Sequence, residues 1–176
     1  MIFTTFPVNL IFYFMLIGLI SDSHDSVPHI EKAVSIFKEA KVDWVLHAGD
    51  FCSPFTIPPF EGLTLKGVFG NNDGDYYLLM QKFEAIGAEL LGSFGELTAD
   101  GSKIALYHGT DAPITAALEQ CGNYDVVITG HTHQKKVQMV DGTLAVNPGT
   151  AHGFEGEATI ALLETTTKDV EFMELN

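Results

Sequence analysis

Arginine is absent from all 176 residues. Proteins that handle phosphate commonly use the guanidinium fork, which holds two oxygens at once. Here that work falls to metal ions, backbone N–H groups, histidines or the lysines. Positive charge is scarce altogether: 23 acidic residues outweigh 9 lysines, for a formal charge of −14. With no basic stripe to displace counterions, a nucleic-acid polymer is argued against as the main ligand. A salty cytoplasm would favour the same acidic surface. Cysteine is nearly missing. Cys52 and Cys121 stand far apart with no C-x-x-C spacing, which argues against a disulfide framework or a zinc ribbon and fits a reducing, cytoplasmic setting.

Long unbroken apolar runs are missing too. Phe6 to Ile20 comes nearest, but Pro7 and Asn9 leave only about half of the ~20 residues that a spanning helix needs. No Lys or Arg precedes the run and no small-residue cleavage site follows it. Its second half, Leu16 to Ile20, leads straight into Ser-Asp-Ser-His and reads as a buried strand. No membrane association is expected. Residues 1–14 are read as an N-terminal extension, with Met15 as the natural start, and residues 15–176 as one domain. Apolar residues make up 46% of the chain, enough for a real core.

The pattern alternates strand and helix, then becomes strand-rich. Buried strands are predicted at Leu16–Ile20, Trp44–Ala48, Thr64–Phe69 and Asp125–Thr129. Helices are predicted at Val27–Lys41, with Ser26 as N-cap, at Tyr76–Ile86, stopping at Gly87, and from Pro113 to Gln120. Shorter strands fall at Glu89–Leu91, Glu96–Thr98 and Lys103–Tyr107. The end of the chain reads as a meander, Lys136–Val140, Thr143–Val146, Ala158–Leu163 and Val170–Met173, with Asp141-Gly142 as a hairpin turn. This order fits one α/β domain with two facing sheets and helices outside.

Polar motifs follow five of these strands: Asp22-Ser-His24, Gly49-Asp50, Gly70-Asn-Asn-Asp73, His108-Gly109 and Gly130-His-Thr-His133. Ligand sites of α/β proteins gather at such strand ends. Together they supply Asp22, His24, Asp50, Asn71, His108, His131 and His133. Oxygen and imidazole donors without thiolate suit a hard or borderline divalent ion such as manganese, iron, cobalt, nickel or zinc, with manganese favoured. Seven donors exceed one tetrahedral ion but divide evenly over two if a carboxylate is shared. In an extended chain, residues i and i+2 point the same way, roughly 6.5–7 Å apart. On that geometry Asp22/His24 and His131/His133 would each reach around ions about 3.5–4 Å apart. The glycines before Asp50, Asn71 and His131 are expected to turn each strand sharply toward the common centre.

Single motifs of this kind are weak, since most Gly-Asp pairs are ordinary turns. The ordered set D-x-H, G-D, G-N-x-D, H-G and G-H-x-H resembles the calcineurin-like metallophosphoesterases, and from Met15 onward their small prokaryotic YfcE-type phosphodiesterase branch. The resemblance implies a four-layer αββα sandwich with two mixed sheets. It implies a metal-dependent phosphodiesterase in which a hydroxide bridging two divalent ions attacks a small phosphate ester. Asp22, His24, Asp50 and His133 would hold one ion, and Asp50, Asn71, His108 and His131 the other, with Asp50 bridging. Asn147-Pro-Gly-Thr150 resembles a family turn near the site. Asp50, Asn71, Asn72 and His131 are the expected catalytic positions. Many members carry a general-acid histidine where this chain has Asn72, so acid help from that position is in question. A phosphomonoesterase and a non-catalytic scaffold, like the retromer subunit of the same fold, are the other readings. All seven ligand positions hold metal-binding residue types, which favours the enzyme. Assembly as a homodimer or larger homo-oligomer stays open.

Outside the motifs, His29 is expected to be exposed, His47 to be a satisfied core or supporting group, and Cys52 to be a small buried hydrophobe. Asp73 is expected either to orient a ligand histidine or to close its turn. Lys135 and Lys136 are expected to be solvated. His152 is a candidate for contact with substrate.

Overall fold

A computed structural model describes residues 14–154 and 156–176. The reading of the N-terminal extension therefore falls outside the described residues, apart from Phe14. In chain order the elements are β1 (Leu16–Ile20), α1 (Val27–Ala40), β2 (Trp44–His47), short 3-10 turns at Pro54–Thr56 and Pro58–Phe60, β3 (Leu65–Gly67), α2 (Tyr76–Ala85), β4 (Glu89–Leu90), β5 (Phe94–Ala99), β6 (Ser102–Tyr107), α3 (Ala112–Gln120), β7 (Val126–Ile128), β8 (Lys135–Val140), β9 (Thr143–Pro148), β10 (Thr159–Glu164) and β11 (Val170–Glu174).

Two mixed sheets result. One runs β11-β10-β1-β2-β3-β4 and the other β5-β6-β7-β9-β8. In the first, β1 to β4 are parallel while β10 and β11 are antiparallel. In the second, β6, β7 and β9 are parallel, flanked by antiparallel β5 and β8. Strand period two divides the apolar residues between layers. Ile17 and Leu19 of β1 join Leu46, Ile104, Leu106, Val126, Ile128, Leu144 and Val146 in the layer between the sheets. Ile20 and Val45 face the other way, into a second core with α1 residues Ile30, Ala33, Val34 and Phe37 and α2 residues Leu79 and Phe83. Gly18 lies against the Phe37 ring, and a Cβ there would collide with it. Burying a side chain such as Phe37 contributes about 1.5–3 kcal/mol. α3 lies against β9 of the second sheet.

The predicted meander is split. β8 and β9 form a hairpin in one sheet, while β10 and β11 form a hairpin in the other. Asp141 (φ 48°) and Gly142 (φ 92°) make the left-handed turn of the first hairpin. The chain then crosses between the sheets, where Ala151 N–H donates to Ser21 O (3.0 Å), and β10 adds beside β1. Ser26 occupies the N-cap position of α1 without capping it; its Oγ lies 3.0 Å from His29 Nδ1 instead. Asp75 does cap α2, accepting from Leu78 N–H at 3.0 Å.

Among the described residues no helix is long and apolar enough to cross a membrane.

Candidate metal centre

The C-terminal ends of β1, β2 and β3 in one sheet and of β6 and β7 in the other bring their loops to a common edge. Asp22, at the end of β1, is fully buried. Its Oδ2 accepts from Ser21 Oγ (2.6 Å) and from the His131 N–H (3.0 Å). Its Oδ1 has no hydrogen-bond partner and faces imidazole nitrogens: His133 Nε2 at 3.3 Å, His24 Nε2 at 3.9 Å and His108 Nε2 at 4.0 Å. Burial raises the Asp22 pKa, against the hydrogen bond from Ser21 and the charges of His108 and His133.

Asp50 follows β2 through Gly49. Burial pushes its carboxyl up, but the hydrogen bond and charge of His108, joined by two hydrogen bonds from Asn72, hold it below the usual carboxylate range. Asn72 N–H donates to Asp50 Oδ1 and Asn72 Nδ2 to Oδ2, both at 2.8 Å. His24 Nε2 and His108 Nε2 lie 3.5 and 3.4 Å from the same Oδ2. One donor atom each from Asp22, His24 and Asp50 fall within 4.8 Å of one another. Like Asp22 Oδ1, His24 Nε2 is buried without a hydrogen-bond partner. A buried bare carboxylate oxygen costs free energy unless something else satisfies it. A divalent cation is the chemistry that this donor set fits.

The tautomer of His108 is legible. Its Nδ1 lies 2.7 Å from Ala48 O, and a carbonyl only accepts, so Nδ1 carries the proton. The lone pair of the neutral ring then sits on Nε2, which faces Asn71 Oδ1 (3.1 Å) and Asp50. That arrangement is the usual one for a metal-bound histidine with a carbonyl behind it. Burial would lower the His108 pKa, but Asp50, with Asp22 behind it, raises it above the ordinary value. A metal ion competes with a proton for that same lone pair.

Six of the seven predicted ligands meet one another within 4.0 Å through side-chain atoms. The His131 ring lies farther off, its centroid 5.2 Å from that of His108, and its main-chain N–H donates to Asp22. The paired spacings do not rest on extended backbone. Asp22 (φ 51°), His24 (φ 38°), His131 (φ 65°) and His133 (φ 58°) are left-handed, not extended, as are Asp50 (φ 59°) and Cys52 (φ 69°). Such conformations cost non-glycine residues energy and persist where surroundings over-determine them. Here the main chains are tied together: Asp22 N–H donates to Gly49 O (3.0 Å) and His24 N–H to Asp50 O (3.1 Å).

The three glycines do not share one task. Gly49 does turn the chain, at φ 97°. Gly70 and Gly130 are needed for close approach instead: a Cβ on Gly70 would strike Asp50, and one on Gly130 would strike Ser21 Oγ and Asp22 Oδ2. Asp73 neither orients a histidine nor merely closes its turn. Its carboxylate accepts from the N–H groups of Gly70 (2.6 Å), Cys52 (2.8 Å) and Asp50 (3.2 Å), fixing two ligand loops at once.

Other residues support the ligand loops, among them His47 and the Asn147-Pro-Gly-Thr150 turn expected from the sequence. Gly49 N–H donates to His47 Nδ1 (3.2 Å), so His47 Nε2 holds the proton and faces Ser23 Oγ (3.2 Å). Asn147 Nδ2 donates to Gly130 O (2.7 Å), and Thr150 Oγ1 to Asp22 O (3.0 Å). The Asn-Pro-Gly-Thr turn thus staples the His131/His133 loop to the Asp22 loop. His152 is buried, with its ring 4.8 Å from those of His24 and His133. His29 is half-buried, not exposed, and lies against His152 O (3.1 Å). Cys52 Sγ lies 3.4 Å from His24 Nδ1, and burial pushes the thiol pKa up to about 12. Lys135 and Lys136 pair with Glu157 and Glu119.

The family model described as the calcineurin-like phosphoesterase superfamily domain matches residues 15–168. The chain belongs to that superfamily. As a calcineurin-like phosphoesterase it is similar to the phosphodiesterase MJ0936 of Methanocaldococcus jannaschii, 38% identical over 88% of this chain and 96% of the relative. A solved archaeal phosphodiesterase superposes with a TM-score of 0.87 at 36% identity, covering 91% of this chain and 99% of that one. YfcE, a phosphoesterase from E. coli, shares the fold, with a TM-score of 0.66 at 16% identity over 92% of this chain and all of that one. This calcineurin-like phosphoesterase is a metal-dependent hydrolase of phosphate esters, and the centre at the sheet edge offers candidate ligands for its metal.

Proposed function

We propose that the chain is a phosphodiesterase whose centre holds two divalent ions, manganese preferred, with Asp50 shared between them. Asp22, His24, Asp50 and His133 would hold one ion, and Asp50, Asn71, His108 and His131 the other. The observation that carries this reading is the bare, buried Asp22 Oδ1 facing three imidazoles, with Asp50 Oδ2 between His24 and His108. Two divalent ions supply an acidified water as nucleophile and positive charge against the charge that builds on phosphorus.

The chain's own residues do the rest. Asn72 holds the shared carboxylate from two directions. Asp73 and the Asn147-Pro-Gly-Thr150 turn lock the ligand loops. Ala48 O keeps the His108 lone pair aimed inward.

A diester is favoured over a monoester by the surroundings. Two pockets flank the centre. One, of about 250 Å³, touches Asn71; the other, of about 220 Å³, touches His133. A diester has two arms to place. Asp111 lines the first pocket and Glu157 the second, and neither is lined by a lysine. Glu157 is offset by its pair with Lys135, so it is the Asp111 carboxylate that opposes the second negative charge of a monoester. The named activity of the M. jannaschii relative points the same way. We further read the substrate as a small molecule and the setting as cytoplasmic.

The test is to strip the protein of metal, titrate Mn(II), Ni(II), Co(II) and Zn(II), and assay bis(4-nitrophenyl) phosphate beside 4-nitrophenyl phosphate. Two ions per chain and faster diester turnover are expected. Faster monoester turnover would make it a monoesterase, and metal uptake without turnover would make it a scaffold.

A further inference from the structure

We propose that the pocket beside Asn71 is a subsite for one ester arm of the substrate, and that the arm it takes is an uncharged aromatic ring. This rests on the phosphodiesterase reading and narrows it to a substrate class.

The pocket is built where three elements end. Phe69 and Gly70 follow β3, Tyr76 opens α2, Tyr107 ends β6, and Thr110 and Asp111 follow it. Asn71 belongs both to this wall and to the candidate ligands, so a phosphate held at the centre has one ester oxygen facing the opening. The Phe69 and Tyr76 rings stack at 4.1 Å between centroids with planes 23° apart. Phe69 is half-buried beneath, while Tyr76 is 49% exposed. The half-buried ring backs the outer one, leaving an aromatic surface beside a polar centre. Such a surface binds planar rings better than aliphatic groups of the same area, because offset stacking adds to burial.

Three further features define the ligand. Size comes first: about 250 Å³ is below the roughly 300–1,000 Å³ of pockets that enclose a whole drug-sized ligand, so one ring system fits. Charge comes second: the lining has a carboxylate, Asp111, and no lysine, which disfavours an anionic arm. Rigidity comes third. Tyr107 Oη donates to Asp111 Oδ2 (3.2 Å) and accepts from Asp111 N–H (3.1 Å). Thr110 Oγ1 donates to Asn71 Oδ1 (3.4 Å). The far wall is thus fixed by its own hydrogen bonds and is tied to the centre. A stack that served only to seat the start of α2 would show none of the selectivity tested next.

The experiment uses metal-loaded protein and two competitive ligands that share a phosphonate headgroup, benzylphosphonate and methylphosphonate, measured by calorimetry and by inhibition of bis(4-nitrophenyl) phosphate hydrolysis. Benzylphosphonate should bind on the order of tenfold more tightly, the size of one stacking contact. Tyr76→Ala should erase that preference while leaving methylphosphonate affinity unchanged, and Tyr76→Phe should keep it. If Tyr76→Ala folds poorly, Tyr76→Leu retains bulk without a π face and should give the same loss. Asp111→Asn should improve binding of 4-carboxybenzylphosphonate more than that of benzylphosphonate. Equal binding of the two phosphonates by the parent protein, or equal weakening of both by Tyr76→Ala, overturns the subsite while leaving the phosphodiesterase reading standing. A metal-loaded protein that binds neither phosphonate and turns over no ester overturns that reading, and the subsite with it.

Discussion

Asn72 grips Asp50 at both carboxylate oxygens, through its main-chain N–H on Oδ1 and its side-chain amide on Oδ2, each at 2.8 Å. Its side chain is thereby committed to the carboxylate proposed to be shared by two ions. Where many members of the family carry a histidine, this side chain orients a carboxylate.

Asn72→Ala should therefore weaken metal binding about 10- to 100-fold, the usual cost of losing a group that orients a ligand. Metal titration of activity is the readout. The Asn72→His variant separates the two roles. If orientation is what matters, it loses metal affinity. If the position is available to an acid, it speeds diesters with poor leaving groups, by up to roughly 10²–10⁴-fold.

Asp50→Asn removes the charge proposed to be shared by two ions and places an amide N–H group against Asn72. Both metal content and diester turnover should collapse. Elemental analysis on a per-chain basis checks this, and parental metal content in the variant would remove Asp50 from the bridging position.

Gly130→Ala tests the close approach at the end of β7. The added methyl group would meet Ser21 Oγ and Asp22 Oδ2, so the loop must shift at a cost of about 1–3 kcal/mol. A lower melting temperature together with reduced metal affinity is expected. Gly142→Ala has open space around its Cβ, but its φ of 92° strains the backbone. It should therefore lower the melting temperature and leave metal affinity intact.

His47 predicts a pH dependence. Burial, helped by the charge of His108, lowers its folded pKa from 6.5 to about 3. Above 6.5 the ring is neutral in both states. Between 6.5 and about 3 the unfolded chain binds a proton that the folded one refuses, so stability falls as pH falls through that window. Urea midpoints measured from pH 7 to pH 5 should fall less steeply for His47→Gln than for the parent. Gln can still accept from Gly49 and donate to Ser23.

Much of this was legible in the sequence, for identifiable reasons. Strands buried on both faces, such as Leu16–Ile20, read as unbroken apolar runs that end at polar clusters, and the ends of those runs are where the ligands sit. Hairpins show their turns, but nothing in Asp141-Gly142 tells which sheet the next hairpin joins, so two hairpins in separate sheets read as one meander. The left-handed backbone of His24, His131 and His133 has no residue signature, because it is imposed by main-chain bonds between distant loops. The approach of His152 to His24 depends on the crossing between the sheets, and so does that of Thr150 to Asp22. The Phe69–Tyr76 stack was invisible because the two residues belong to a strand end and a helix start.

The candidate ligands are divided between the sheets: Asp22, His24, Asp50 and Asn71 follow strands of one, His108, His131 and His133 strands of the other. The distance across the centre is therefore set by the thickness of the apolar layer of Leu19, Leu46, Leu106 and Ile128 beneath it. A close-packed layer transmits a change of even one methylene to what it supports. Metal affinity is then expected to gauge core thickness, so substitutions in that layer, far from any candidate ligand, should move it.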